Sequence, residues 1–177
     1  ELDVFQLKQE LMTAPKRFAG NNNSNVVVKF PNVSGQMEQF RVQESSNMDP
    51  QLAARYADIK SYIGQGIDNP SSTIYFSLSP LGLQTMVIRA DQSAEFIEPY
   101  TTDLSSYAVY RKSDKTANLN RFECKVISDN IDAVTTSAAR PNADDAILRT
   151  FRLAMSCTGE YTAYFGGTKA LALAAIN

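Results

Sequence analysis

The chain has 177 residues, with 17 Lys and Arg against 19 Asp and Glu, two cysteines and no histidine. Without histidine it cannot alone build a Ser–His–Asp triad, a Cys–His pair or a His-ligated metal centre, and two cysteines fall short of an all-thiolate zinc knot or an iron–sulfur cluster. A net charge of −2 lacks the basic excess of a nucleic-acid binder, no apolar run reaches the roughly 20 residues of a membrane-spanning helix, and 44% hydrophobic residues suit a folded chain.

In chain order, Val4, Phe5, Leu7 and Leu11 recur at helical spacing, with Asp3 as N-cap and Pro15 beyond the end. Residues 20–25 form a polar loop. Val26–Phe30 is β-branched and bounded by Pro31, and Gln36–Gln43 alternates. Together they predict a hairpin around Asn32-Val33-Ser34-Gly35. Asp49-Pro50 opens a short helix over Gln51–Tyr56. Ile59–Ile63 reads as strand or as a last helical turn. Gly64-Gln65-Gly66 and Asn69-Pro70-Ser71-Ser72 read as turns. Thr73–Leu78 and Leu83–Ala90 are strands joined by Ser79-Pro80-Leu81-Gly82, followed by strands at Glu95–Tyr100, Ser106–Arg111 and Arg121–Ile127. The expectation for residues 1–127 is an α+β domain: an antiparallel meander with one or two short helices.

The pattern then changes. Residues 128–145 are small and polar and contain Pro141, the composition of an exposed linker open to proteolysis. Ile147–Ser156 predicts a strand with Ile147, Phe151, Leu153 and Met155 on one face. Thr158–Gly167 reads as a turn and Lys169–Asn177 as an apolar helix. A strand feeding a helix is half of an α/β unit. An apolar helix also needs a core to cover it, so the expectation is a fragment of a larger protein.

Several residues invite chemical readings. Gly64-Gln65-Gly66 lacks the further glycine, lysine and hydroxyl of a phosphate loop, which favours a structural role. Asn22-Asn23-Ser24 and Asn32-Val33-Ser34 match the short glycosylation sequon. Tyr100, Tyr107 and Tyr110 could line a sugar platform, although tyrosine at strand spacing usually packs the sheet. Asp144 and Asp145 read as a solvated pair in a polar segment. Cys124 and Cys157 would pair by default in a secreted chain; the sharper alternative leaves one thiol for a metal.

The block Leu148-Arg149-Thr150-Phe151-Arg152-Leu153-Ala154-Met155-Ser156-Cys157-Thr158-Gly159-Glu160-Tyr161 resembles the opening strand of the catalytic domain of secreted bacterial reprolysin-like zinc metalloproteases, which are metzincins. Gly166-Gly167-Thr168 with Ala170–Asn177 resembles the start of the long helix that comes next in that family. Upstream, Phe30-Pro31-Asn32, residues 61–68, Ile97-Glu98-Pro99-Tyr100 and Phe122-Glu123-Cys124 resemble the prodomain of the same precursors. The family's HExxHxxGxxH zinc motif and Met-turn are absent from the chain.

The resemblance implies a zymogen segment: prodomain 1–127, linker 128–145 with activation cleavage in the region of Arg140, and the first strand and helix of the α/β metzincin domain over 146–177. The implied zinc is bound by the protease domain outside this chain. That domain would be the partner, joined covalently or as a separate cleaved chain, and the location extracellular. Such a segment would keep the protease latent and assist its folding, with no activity of its own. Cys124 is the candidate inhibitory ligand, because a thiolate can take the open position of a three-ligand zinc. Arg121, Phe122 and Glu123 would then contact the cleft, and Glu123 is an alternative blocking ligand. An independent secreted β-rich module binding carbohydrate or protein is the reading from a different class.

Overall fold

The computed structural model describes residues 2–18, 24–114, 151 and 153–177. The chain divides into two units, one formed by Glu1–Thr116 with Cys157–Asn177 and the other by Ala117–Ser156. The first unit holds every helix and strand among the described residues.

Helix α1 spans Val4–Leu11. Asp3 caps it, its Oδ1 accepting the Gln6 N–H at 2.9 Å, which satisfies one of the donors left over at a helix start. Leu7 and Leu11, one turn apart, are buried, while Phe5 stays exposed. Seven strands come next: β1 (Val27–Pro31), β2 (Met37–Glu44), β3 (Lys60–Gly66), β4 (Thr73–Ser79), β5 (Gly82–Arg89), β6 (Gln92–Pro99) and β7 (Tyr107–Arg111). A short helix α2, Pro50–Arg55 with Asp49 as N-cap, lies between β2 and β3. Every strand pairs antiparallel with its neighbours in sequence, giving the order β1-β2-β3-β4-β5-β6-β7. The α+β antiparallel meander expected from the sequence is therefore present at this level.

Strand alternation sorts the side chains onto two faces. Val28, Phe30, Phe40, Val42, Ile74 and Phe76 belong to a buried cluster that also holds Leu7 and Leu11 of α1. The sheet curls around this cluster. Phe30 on β1 meets Phe76 on β4 edge-on, with ring centroids 5.3 Å apart; three strand spacings would hold them about 14 Å apart in a flat sheet. A charge pair crosses the same gap: Arg89 of β5 donates from Nη2 to Glu38 Oε2 of β2 at 2.6 Å. Arg89 Nη1 faces Glu95 Oε2 at 3.1 Å, and Arg111 lies 3.4 Å from the other Glu95 oxygen. The Nη1 contact is an ion pair without hydrogen-bond geometry. Burial works against the charged form of Arg89, and Glu38 and Glu95 more than offset it, so its pKa is raised.

Three sequence expectations are corrected. Gly64-Gln65-Gly66 is the end of β3, not a turn. A Cβ at Gly64 would sit 2.8 Å from both Ile74 Cγ2 and Val42 Cγ1, and one at Gly66 would collide with Ser72 Oγ and the Asn69 carbonyl. Glycine is there for close packing between strands. Thr158–Gly167 is not merely a turn: it contains helix α3, Gly159–Tyr164, with Thr158 accepting the Tyr161 N–H. Gly166 and Gly167 end it with φ of +97° and +78°, and the Gly167 N–H returns to the Thr162 carbonyl at 2.8 Å. The strand expected over Ile147–Ser156 is absent where the chain is described, since Phe151 and Leu153–Ser156 belong to no strand. Phe151, Leu153 and Met155 are exposed. Alternation states which side chains could share a face; it does not supply the neighbouring strand that satisfies the backbone. The expected C-terminal helix is present as α4, Lys169–Ile176, capped by Thr168. The strand expected at 121–127 and the linker at 128–145 lie outside the described residues.

Candidate functional site

Opposite the apolar core, the sheet presents a second face. Its central feature arises from register. Ile63 of β3 pairs with Tyr75 of β4, Tyr75 with Met86 of β5, Met86 with Phe96 of β6, and Phe96 with Tyr110 of β7. One cross-strand row of large apolar and aromatic side chains thus runs over five strands. Tyr75 is 42% exposed, so a large part of its surface remains available after folding. Phe96 and Tyr110 stack with centroids 5.5 Å apart, and the Tyr110 hydroxyl donates to Glu98 Oε2 at 2.6 Å.

Two clefts lie along the row. The first, of about 310 Å³, is lined by Tyr75, Met86 and Phe96 with Ser77, Gln84, Glu98 and Asn177 among others. The second, of about 420 Å³, is lined by Arg17, Arg41, Ile63, Gln65 and Thr73 among others. Arg17 borders both. Its position is fixed by main-chain pairing: the chain at Lys16 forms a parallel bridge with Glu44 at the end of β2. The Arg17 N–H donates to the Glu44 carbonyl at 2.8 Å, and the Glu44 N–H to the Pro15 carbonyl at 2.9 Å. Arg41 projects from β2 on the outer side of the alternation. Neither arginine has a carboxylate partner among the described residues.

Helix α4 reaches the first cleft with its last cap. Asn177 Nδ2 donates to Ser61 Oγ of β3 at 2.6 Å. The Asn177 Oδ1 is buried and has no hydrogen-bond partner among the described residues. Ala172 and Ala174 of α4 are buried at 3% and 2% exposure, so the cover that an apolar helix requires is found within this chain.

The residues singled out from sequence distribute unevenly. Arg121, Phe122, Glu123, Cys124 and Arg140 lie outside the described residues, as do Asn22, Asp144 and Asp145. Cys157 is a free, exposed thiol at the entry to α3, 3.6 Å from the Thr162 hydroxyl, which corrects the expectation that it pairs with another cysteine. Of the three tyrosines, Tyr110 alone joins the outer row. Tyr107 packs against the core and its hydroxyl accepts the Leu83 N–H at 3.4 Å, whereas Tyr100 is 79% exposed. Asn32 is committed to its turn: Nδ2 donates to Glu38 Oε1 at 2.9 Å while Oδ1 accepts from the Ser34 and Gln36 N–H groups. No group of three or more acidic or cysteine side chains suited to a metal occurs among the described residues.

Sequence reasoning missed the outer row because its members come from five strands at unequal intervals; only the register makes them neighbours. Burial, with Glu44 adding repulsion, pushes the core-side Tyr62 hydroxyl up to about 12, so it stays protonated and neutral beneath this face. Together these side chains can stack, donate hydrogen bonds and attract an anion. Compared with protein-family models, curated proteins and solved structures, the chain finds no match.

Proposed function

We propose that the chain is a segment of a secreted zinc metalloendopeptidase precursor, in which the β meander acts as a prodomain that assists folding and maintains latency. The observation that carries this reading is the seating of α4. The Ser61–Asn177 hydrogen bond ties the helix cap to β3, and Ala172 and Ala174 are buried. In a precursor, a β domain that covers the apolar start of the next domain lowers the cost of exposing it during folding. The sequence blocks ending at Tyr161 and beginning at Gly166 lend the same reading their resemblance to the start of a metzincin domain.

Cys124 is the inhibitory zinc ligand in this proposal, with Arg121, Phe122 and Glu123 as neighbouring cleft contacts and cleavage near Arg140 releasing the block. Zinc, held by the protease domain, would supply a Lewis acid and an activated water; the thiolate would exclude that water. The test is Cys124→Ala in the full precursor, together with mass spectrometry of the secreted product. Premature activity, and a downstream segment bearing HExxH, are expected. Unchanged latency removes Cys124 from the role. A secreted product with neither HExxH nor zinc overturns the precursor reading itself.

The outer row of Tyr75, Met86, Phe96 and Tyr110 favours a second reading, an independent secreted module that binds carbohydrate or protein. A sample free of protease but able to bind such a ligand would support it.

A further inference from the structure

We propose that the outer face of the sheet binds an acidic oligosaccharide, its sugar rings on the Tyr75–Met86–Phe96 row and its carboxylates at Arg17 and Arg41. This ligand deepens the second reading, on which it rests, and stands apart from protease latency. Three observations carry it.

The first is shape and surface. A pyranose ring has an apolar C–H face and a rim of hydroxyls, so it favours a flat aromatic surface edged by neutral hydrogen-bonding groups. Tyr75 and Phe96 provide the surface, with Met86 between them in register. Ser77, Gln84 and Asn177 provide the neutral edge, and one carboxylate, Glu98, also lines this cleft, where it accepts the Tyr110 hydroxyl and leaves the ligand's own carboxylates to the arginine end. Hydroxyls and amides can each donate and accept, as vicinal sugar hydroxyls require.

The second is an unmet need. Asn177 lines the same cleft, and its Oδ1 is buried and accepts no hydrogen bond among the described residues. A buried acceptor left unpaired costs about 1–3 kcal/mol, and a ligand hydroxyl satisfies it once the Asn177 side chain turns to open Oδ1 to the cleft.

The third is charge. The adjoining cleft is walled by two guanidinium groups, Arg17 and Arg41, and no carboxylate among the described residues lines it. Arginine binds carboxylate through two parallel N–H donors. Because Arg17 borders both clefts, one extended ligand can lie on the aromatic row and still reach the cationic end. A peptide recognised by a sheet usually adds to an edge strand through its backbone. This site instead lies on the face, where side chains alone are offered, and that favours the sugar.

Titration calorimetry on the 177-residue chain tests the proposal with three probes: hexagalacturonate, neutral cellohexaose and hexaglutamate. Binding of hexagalacturonate about tenfold or more tighter than either of the others is expected, weakening as salt rises. Tyr75→Ala should reduce that affinity about tenfold. Arg41→Gln should erase the preference for the acidic sugar over the neutral one. Far-UV circular dichroism of both variants should match the parent, since neither side chain belongs to the core. Absence of binding to hexagalacturonate at about 1 mM, equal binding of hexaglutamate, or full affinity in both variants would each overturn the proposal. None of these results bears on latency, which Cys124→Ala reads separately.

Discussion

The two faces of the sheet are built from the same strands and perform opposite tasks. On the inner face, Val28, Phe40, Val42, Ile74 and Leu83 are each at or below 1% exposure, and α1 closes over the cluster they belong to. On the outer face, Tyr75 and Ile88 keep 42% and 43% of their surface, beside arginines, amides and hydroxyls. Period-two alternation lets one strand satisfy both demands at once. Stability should therefore reside on the inner face and recognition on the outer, with little exchange between them.

The strongest way to break that separation is a cavity on the inner side. Phe40→Ala should cost about 4 kcal/mol, the range for deleting a fully buried aromatic ring, read as a lowered urea midpoint. A loss under about 1 kcal/mol would mean that the inner face is not the seat of stability.

Next in size is Arg89→Ala. It leaves Glu95 at 5% side-chain exposure and Glu38 at 23% without their shared cation. About 3 kcal/mol is expected, slightly discounted because Glu38 reaches solvent. Arg89→Met in a Glu38→Gln, Glu95→Gln background should recover most of it, and failure to recover would assign the loss to packing rather than charge.

A smaller effect sharpens the comparison through pH. Tyr62 ionises at its ordinary 10.0 when unfolded and at about 12 when folded. The folded state holds the proton more tightly, so this contribution is complete below about pH 10 and declines as pH rises towards about 12. Urea midpoints should fall more steeply between about pH 9 and pH 11 in the parent than in Tyr62→Phe. Parallel curves would contradict the burial of this hydroxyl.

The smallest expected change lies on the outer face. Tyr75→Ala should shift stability by no more than about 0.5 kcal/mol, even as it weakens acidic-sugar binding. A shift beyond about 2 kcal/mol would show that the outer row supports the fold after all.

How much a sequence discloses depends on the range of the interactions involved. Asp3 and Asp49 announce their helices because a cap acts within three residues, and Ser79-Pro80-Leu81-Gly82 announces its hairpin through local turn chemistry. Gly64 and Gly66 mislead, since their reason lies in Val42, Ile74 and Ser72, contacts that no local pattern encodes. Helix α3 is bracketed by Thr158 and Gly166-Gly167, a legible start and stop that a turn assignment overlooks. Phe151, Leu153 and Met155 alternate like a strand without gaining a neighbour. The outer row and the Ser61–Asn177 contact depend on register and on a separation of 116 residues, which lie beyond any windowed pattern.

The serial strand order also governs how the chain can reach its fold. Each strand pairs with the one made just before it, so most pairing closes short loops, and low contact order favours rapid formation. The sheet can grow one hairpin at a time, even while synthesis continues. The Arg89–Glu38 contact joins residues 51 apart and can form only after the intervening strands have curled. It belongs to the late stage of assembly, so its removal should accelerate unfolding far more than it slows folding.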